Sequence, residues 1–513
     1  MNLVTKRQVS QAENDCRTLP AALSLAPIVL VFASLAACQT AVEYQAPAVV
    51  VTASGNQPEG GADSKELINA TPSEFSLKSD YSDAGKASAP WLSTVTQDFA
   101  LAKSLVEDEL SVDLTDITLS LVEDAPINAE VALETQRLVH EQFGNSSFAD
   151  MFLQQIMGPL DGTYAALYSS RLSAVMISRS MLASYERSLL PQHQGSTKRA
   201  ALLTLLIHEL VHAADDKRYQ IHDNRALNFR ASFAQSATFE GHAQWVTRKI
   251  CQKAGCSEGL EALDNFMFST HQQGPQLTQA VEAISRSVLE YSYIEGERFV
   301  AALAKRDNGE QLVEELLTRP PLDPIQILAP ETFPNARREH LNQHLISASR
   351  TTGHPLAAPP WIGVETSPLK GIDLRADPAR RQAAVDGFTR LLQGMISMQF
   401  YDQTAPGAMP IEATILAAES SRTARLFANM LHSNTQQSGA RVSDERKRIG
   451  GESDSSDAGV QMHIYRTAID ADTSYRTTIA VSGKHVVQVS GNIRKQTFLD
   501  EYATQVLLKL SET

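Results

Sequence analysis

The sequence predicts a mainly helical α+β protein, a helical body followed by a smaller α+β domain with an antiparallel sheet. Three observations predict it. Residues 202–217 (LLTLLIHELVHAADDK) are apolar nearly all round, as a buried helix requires. Residues 231–252 return to helical spacing, with Phe233, Ala237, Trp245 and Ile250 as apolar positions. Residues 460–465, 477–481 and 485–489 alternate like neighbouring strands of an antiparallel sheet.

Length and charge bound the rest. A chain of 513 residues that is 43% hydrophobic can form two or three domains with sizeable cores. Its net charge of −14 comes from dispersed acids, which argues against a nucleic-acid partner. Lys6, Arg7 and Arg17 precede a short apolar run, residues 21–37, interrupted by Pro27; this is the layout of a secretory signal, not of a membrane span. Leu35-Ala36-Ala37-Cys38 resembles the lipobox of bacterial lipoproteins. That resemblance implies cleavage after residue 37 and acylation of Cys38, and Gln39 in place of Asp implies the outer membrane of a Gram-negative cell. Residues 38–93, rich in Ala, Ser, Gly, Pro and Asp, read as a flexible linker with a reach of about 40 Å.

The body is expected over residues 94–350. Residues 91–106 read as a helix, 116–122 as a strand and 129–143 as a helix. Residues 163–168 and 173–178 read as a hairpin just before the 202–217 helix, an edge where an extended peptide could pair. Asp323-Pro324-Ile325-Gln326 has the pattern of a helix start. After a Pro-rich connector ending at Trp361, a second domain is expected over residues 365–513. Its elements are a helix over 377–399, a strand over 411–418, a helix over 421–432 and a closing helix over 498–510. The charged stretch GARVSDERKRIGGESDSSDAG reads as a loop.

The chemistry sits on the first long helix. His208 and His212 are one turn apart on the same face, and Glu209 lies about 100° round from His208. Two neutral imidazoles on one turn suit zinc, and the adjacent carboxylate can take a proton from a metal-bound water. A third ligand is expected from the second helix. Glu240 and His242 compete for that place, being about 200° apart, and Gly241 with Ala243 favours Glu240 by allowing close helix packing. Asp216, one turn beyond His212, could hold a ligand ring or simply end the helix in solvent. Tyr291, Tyr293 and His222 are candidate donors to an oxyanion, each also readable as structural. With Cys16 removed and Cys38 acylated, Cys251 and Cys256 remain, and in an oxidising compartment they read as a small-loop disulfide.

HELVH followed by a helix carrying Glu240-Gly241-His242-Ala243 resembles the gluzincin class of zinc metallopeptidases. More narrowly, it resembles a group of little-characterised bacterial proteins through Gly296, Phe299, Val300 and Leu303, then Pro320-Pro321, then Gln326-Ile327-Leu328 with Pro330-Glu331. Ile325 and Ala329 depart from that group, which tends to carry Glu and His there. The resemblance implies a zincin-like metallopeptidase domain with one Zn²⁺ per chain on His208, His212 and Glu240, and Glu209 as the catalytic base. The expected protein is a lipid-anchored peptidase on the periplasmic face of the outer membrane, acting on peptide or protein substrates of the cell envelope. Its contact with the membrane would be through the lipid alone. The other expectation is a protease-like binding or envelope-assembly lipoprotein whose metal site is structural or latent.

Overall fold

The computed structural model describes residues 90–144, 148–151, 153, 165–180, 182, 195–222, 228–268, 288–334, 336–366, 378–405, 408, 410–437, 441–449, 460–468, 475–493 and 496–512. The signal run, Cys38 and the linker lie outside the described residues. Among those described, no helix is long and apolar enough to cross a membrane.

The first part is helical around a three-stranded sheet. Helix α1 (Pro90–Leu110) leads to β1 (Thr118–Val122), α2 (Asp124–Phe143), β2 (Ala166–Ser169) and β3 (Ala174–Ser178). The strand order is β1-β3-β2, with β1 parallel and β2 antiparallel to β3, so β2 is an edge strand among the described residues. Two long helices follow, α3 (Gly195–Tyr219) and α4 (Phe229–Ala254), then α5 (Ser257–Phe268). Leu202, Leu205, Leu206, Ile207, Leu210 and Val211 are all buried, so α3 is sheathed on every side by α1, the hairpin, α4 and α5, as its all-round apolar sequence demands.

Helix α4 has clear end signals. Asn228 caps its start, Oδ1 accepting from Ala231 N at 2.9 Å, and Gly255 ends it in the left-handed region at φ 79°. Cys251 and Cys256 are joined by a disulfide at that corner, where the Thr204 hydroxyl of α3 lies 3.4 Å from the Cys251 sulfur. Closing so small a loop stabilises the fold by about 2 kcal/mol through the unfolded chain. A π-helical turn (Glu290–Glu295) then runs into α6 (Gly296–Ala304), followed by α7 (Gly309–Thr318), α8 (Ile325–Leu328) and α9 (Ala336–Arg350). Asp323 Oδ1 accepts from Ile325 N at 3.1 Å, capping the short α8.

The last part is built on a seven-stranded antiparallel sheet. Its elements are β4 (Trp361–Thr366), α10 (Pro378–Leu391), β5 (Leu392–Asp402), β6 (Ile411–Ala418), α11 (Ser421–Gln437), β7 (Arg441–Ile449), β8 (Val460–Ala468), β9 (Tyr475–Ser482), β10 (His485–Asn492) and α12 (Gln496–Ser511). The strand order is β4-β5-β6-β10-β9-β8-β7. Helices α9 and α12 cover one face through Leu345, Tyr502 and Val506 on Ile396, Met398 and Phe400. Helix α11 covers the other through Ala424, Phe427 and Ala428 on Met395, Leu416 and Val486.

Two expectations are corrected here. The single helix over 377–399 is a helix only to Leu391; from Leu392 the chain is strand, pairing with β4 and β6. Leu, Gln and Met in that stretch are good helix formers, and two-sided ladder pairing overrides their preference. The charged loop contains β7, paired with β8 in full register from Arg441–Ala468 to Ile449–Val460. The remainder of that stretch, 450–459, lies outside the described residues.

Both parts share one core. Tyr401 of β5 packs against Phe143 and Phe148, with ring centroids 5.5 and 5.4 Å away, and Val364 of β4 joins the same cluster as Phe229 and Phe233 of α4. The start of α4 is therefore seated on the sheet as well as on its neighbouring helices.

Candidate metal centre

Helix α3 carries His208 and His212 on one stripe, and α4 crosses it so that Glu240 meets both rings. Nε2 of His208 lies 3.1 Å from Glu240 Oε2, Nε2 of His212 lies 3.3 Å from that same oxygen, and the two ring nitrogens are 3.2 Å apart. These are the edges of one small triangle. A zinc ion bound tetrahedrally at 2.0–2.1 Å requires its donors to stand about 3.3 Å apart. The donor set and its spacing thus fit such an ion. Among the described residues, this is the one group of three or more His, Cys, Asp or Glu side chains so arranged.

All three side chains are buried, at 3%, 7% and 5% exposure for His208, His212 and Glu240. Burial disfavours the charged forms of His212 and Glu240, yet the Glu240 carboxylate raises His212 to about 9. In turn, against the same burial, the His212 and His208 rings hold Glu240 well below the usual carboxylate range. The pocket stabilises a positive charge between a carboxylate and two rings. A proton on His212 satisfies it as an ion pair, and a divalent cation would satisfy it with all three donors.

Glu209 is not one of the three clustered donors. Its Oε2 accepts from the backbone N–H of Tyr168 at 2.8 Å, and the residue is fully buried. Tyr168 belongs to the edge strand β2, so the hairpin that precedes α3 in sequence fixes the carboxylate next to His208. Tyr168 is a contact that sequence reasoning missed; only its place in an expected strand hinted at a free backbone donor.

The rival third ligand is engaged otherwise. His242 Nδ1 lies 2.7 Å from Asp215 Oδ2, a buried pair tying α4 to α3 two residues beyond Glu240. Asp216 does not reach a ligand ring. It accepts the Tyr168 hydroxyl at 3.3 Å and the His222 backbone N–H at 3.0 Å, with His222 Nδ1 3.1 Å away, closing a cluster at the lower end of the site. The α3 stripe therefore ends in two Asp–His pairs, 215 with 242 and 216 with 222, that flank the triad.

The three candidate donors separate clearly. Tyr291 gives its hydroxyl to the Pro324 carbonyl at 2.8 Å and stacks on Phe233, which makes it a packing residue. Tyr293 lies against the site, its ring stacked over His208 at 5.7 Å and 26°. His222 stands edge-on to Tyr168 at 5.6 Å, held by Asp216. Both tyrosines sit in the π-helical turn, a distortion frequent at functional sites.

Gly241 has a different role from the one expected. It lets α4 approach α6, not α3: a Cβ at Gly241 would lie 2.1 Å from the Gly296 carbonyl carbon, and one at Gly296 would lie 2.1 Å from the Ala237 oxygen. The two glycines put backbone against backbone and so set the π-helical turn beside the triad. Gly241→Ala is expected to destabilise the fold by about 1–3 kcal/mol in denaturant unfolding, since backbone must move to admit the methyl group.

Comparison with family models, with curated proteins and with solved structures returns no match.

Proposed function

We propose that the chain is a zinc-dependent peptidase of gluzincin type, its zincin-like domain within residues 94–350. We further propose that it is anchored through a lipid on Cys38 at the periplasmic face of the outer membrane. Its substrates on this reading are peptides or proteins of the cell envelope. One observation carries the proposal: three donors, two His and one Glu, stand at tetrahedral spacing with a fully buried carboxylate adjoining the first of them.

His208, His212 and Glu240 would hold the ion. When bound, zinc supplies Lewis acidity, polarising a scissile carbonyl and lowering the pKa of water. Glu209 takes a proton from the attacking water and passes it to the leaving amine. The Tyr168 N–H keeps the Glu209 carboxylate oriented for that transfer. Tyr293, stacked on His208, shields the ring from solvent and fixes its plane. An extended peptide could lie along the outer edge of β2, where the Tyr168 N–H is already engaged by Glu209.

The same triad also supports a second reading, because its ion pairs are complete without a metal. On that reading the protein is a binding or assembly lipoprotein with a protease-like body. Metal analysis and peptide hydrolysis separate the two. Purified full chain is expected to carry about one zinc, to cleave a mixed peptide library, to stop on chelation and to resume on zinc addition. Zinc uptake with no cleavage of any peptide would favour the second reading, and no uptake would end the first.

A further inference from the structure

We infer that the C-terminal half of the chain holds the metal centre in register, with Arg338, Asp323 and Tyr291 as positioning residues for His208. The inference rests on the zinc reading above. It follows one unbroken line of buried contacts from the seven-stranded sheet to the first ligand.

The line begins where β5 starts. Arg338 of α9 donates from Nη1 to the Leu392 carbonyl at 2.9 Å, and Asn342 one turn further accepts from Met395 N at 3.0 Å. Both side chains then converge on one carboxylate oxygen: Arg338 Nε lies 2.6 Å and Asn342 Nδ2 3.0 Å from Asp323 Oδ2. Asp323 is wholly buried, and its other oxygen takes the Ile325 N–H. The next residue, Pro324, offers its carbonyl to the Tyr291 hydroxyl at 2.8 Å. Two residues along the same π-helical turn, Tyr293 stacks over His208.

Every link is stiff for a physical reason. Asp323 and Arg338 form a buried ion pair whose partners cannot separate without leaving an uncompensated charge. The Tyr291 ring is stacked on Phe233 of α4 at 4.4 Å with an interplanar angle of 4°, so the turn is pinned to the helix that bears Glu240. The Gly241–Gly296 contact stops it sliding. The stretch from Pro320 to Glu331 thus connects the sheet to the π-helical turn, and through Tyr293 it sets the plane of His208.

The test uses the full chain with two probes, zinc in competition with a chromophoric chelator, and cobalt(II), whose visible spectrum reports ligand geometry. Tyr291→Phe removes one hydroxyl and keeps the ring stack, so it is the gentler variant; Arg338→Gln removes the charge from the middle of the line. Both are expected to weaken zinc binding about 3- to 30-fold and to shift the cobalt bands, with far-UV circular dichroism unchanged. A merely structural role would lower the melting temperature and leave the cobalt spectrum of the folded protein as in wild type. Wild-type zinc affinity and cobalt spectrum in Tyr291→Phe overturn the positioning role, whether or not Arg338→Gln folds. A wild-type chain that takes up neither metal overturns the zinc reading instead.

Discussion

Glu209→Gln is expected to keep zinc at the wild-type stoichiometry and to lose about 10²- to 10⁴-fold in kcat. The amide matches the carboxylate in shape, and its oxygen can still accept the Tyr168 N–H that holds Glu209 at 2.8 Å. What it cannot do is accept a proton from water. Glu209 is not one of the three clustered donors, so removing its charge leaves those donors intact. Metal analysis beside peptide hydrolysis checks both halves, and cleavage at the wild-type rate would remove Glu209 from the mechanism.

The second large effect separates Glu240 from His242. Glu240→Ala is expected to weaken zinc binding by about 10²-fold or more, the share of one ligand in a four-ligand site. His242→Ala should bind zinc within a few-fold of wild type and lose conformational stability instead, because Asp215 would then be left buried without its partner at 2.7 Å. Competition titration and thermal unfolding of the two variants read the difference. Retained zinc in Glu240→Ala together with lost zinc in His242→Ala would exchange their roles.

The sequence made the site more legible than the sheet. His208 and His212 are legible because one helix turn fixes their relation, whatever the rest of the fold does. Glu240 is legible as a choice of two, since helical geometry lets only one of Glu240 and His242 face α3's histidines. The partners of Glu209 and Asp216 are not, because Tyr168 and His222 arrive from other elements and leave no local pattern. Gly241 announces a close approach but not to which helix, and it meets Gly296. In the last part, strands β8 to β10 alternate and are legible, whereas β5 carries helix-forming residues and β7 is dense in charge. Their conformation is decided by neighbours on the ladder, which single-strand patterns do not contain. The Leu392–Gly394 irregularity where β5 begins is the local trace of that change.

The bond from Tyr168 to Glu209 has an evolutionary corollary. Its donor is a main-chain N–H, which every residue except proline possesses. The side chain at position 168 can therefore drift, trading its contact with Asp216 for others, while the orientation of the neighbouring carboxylate is inherited unchanged. Variation along this strand could retune what the protein accepts without disturbing the group proposed to carry the proton.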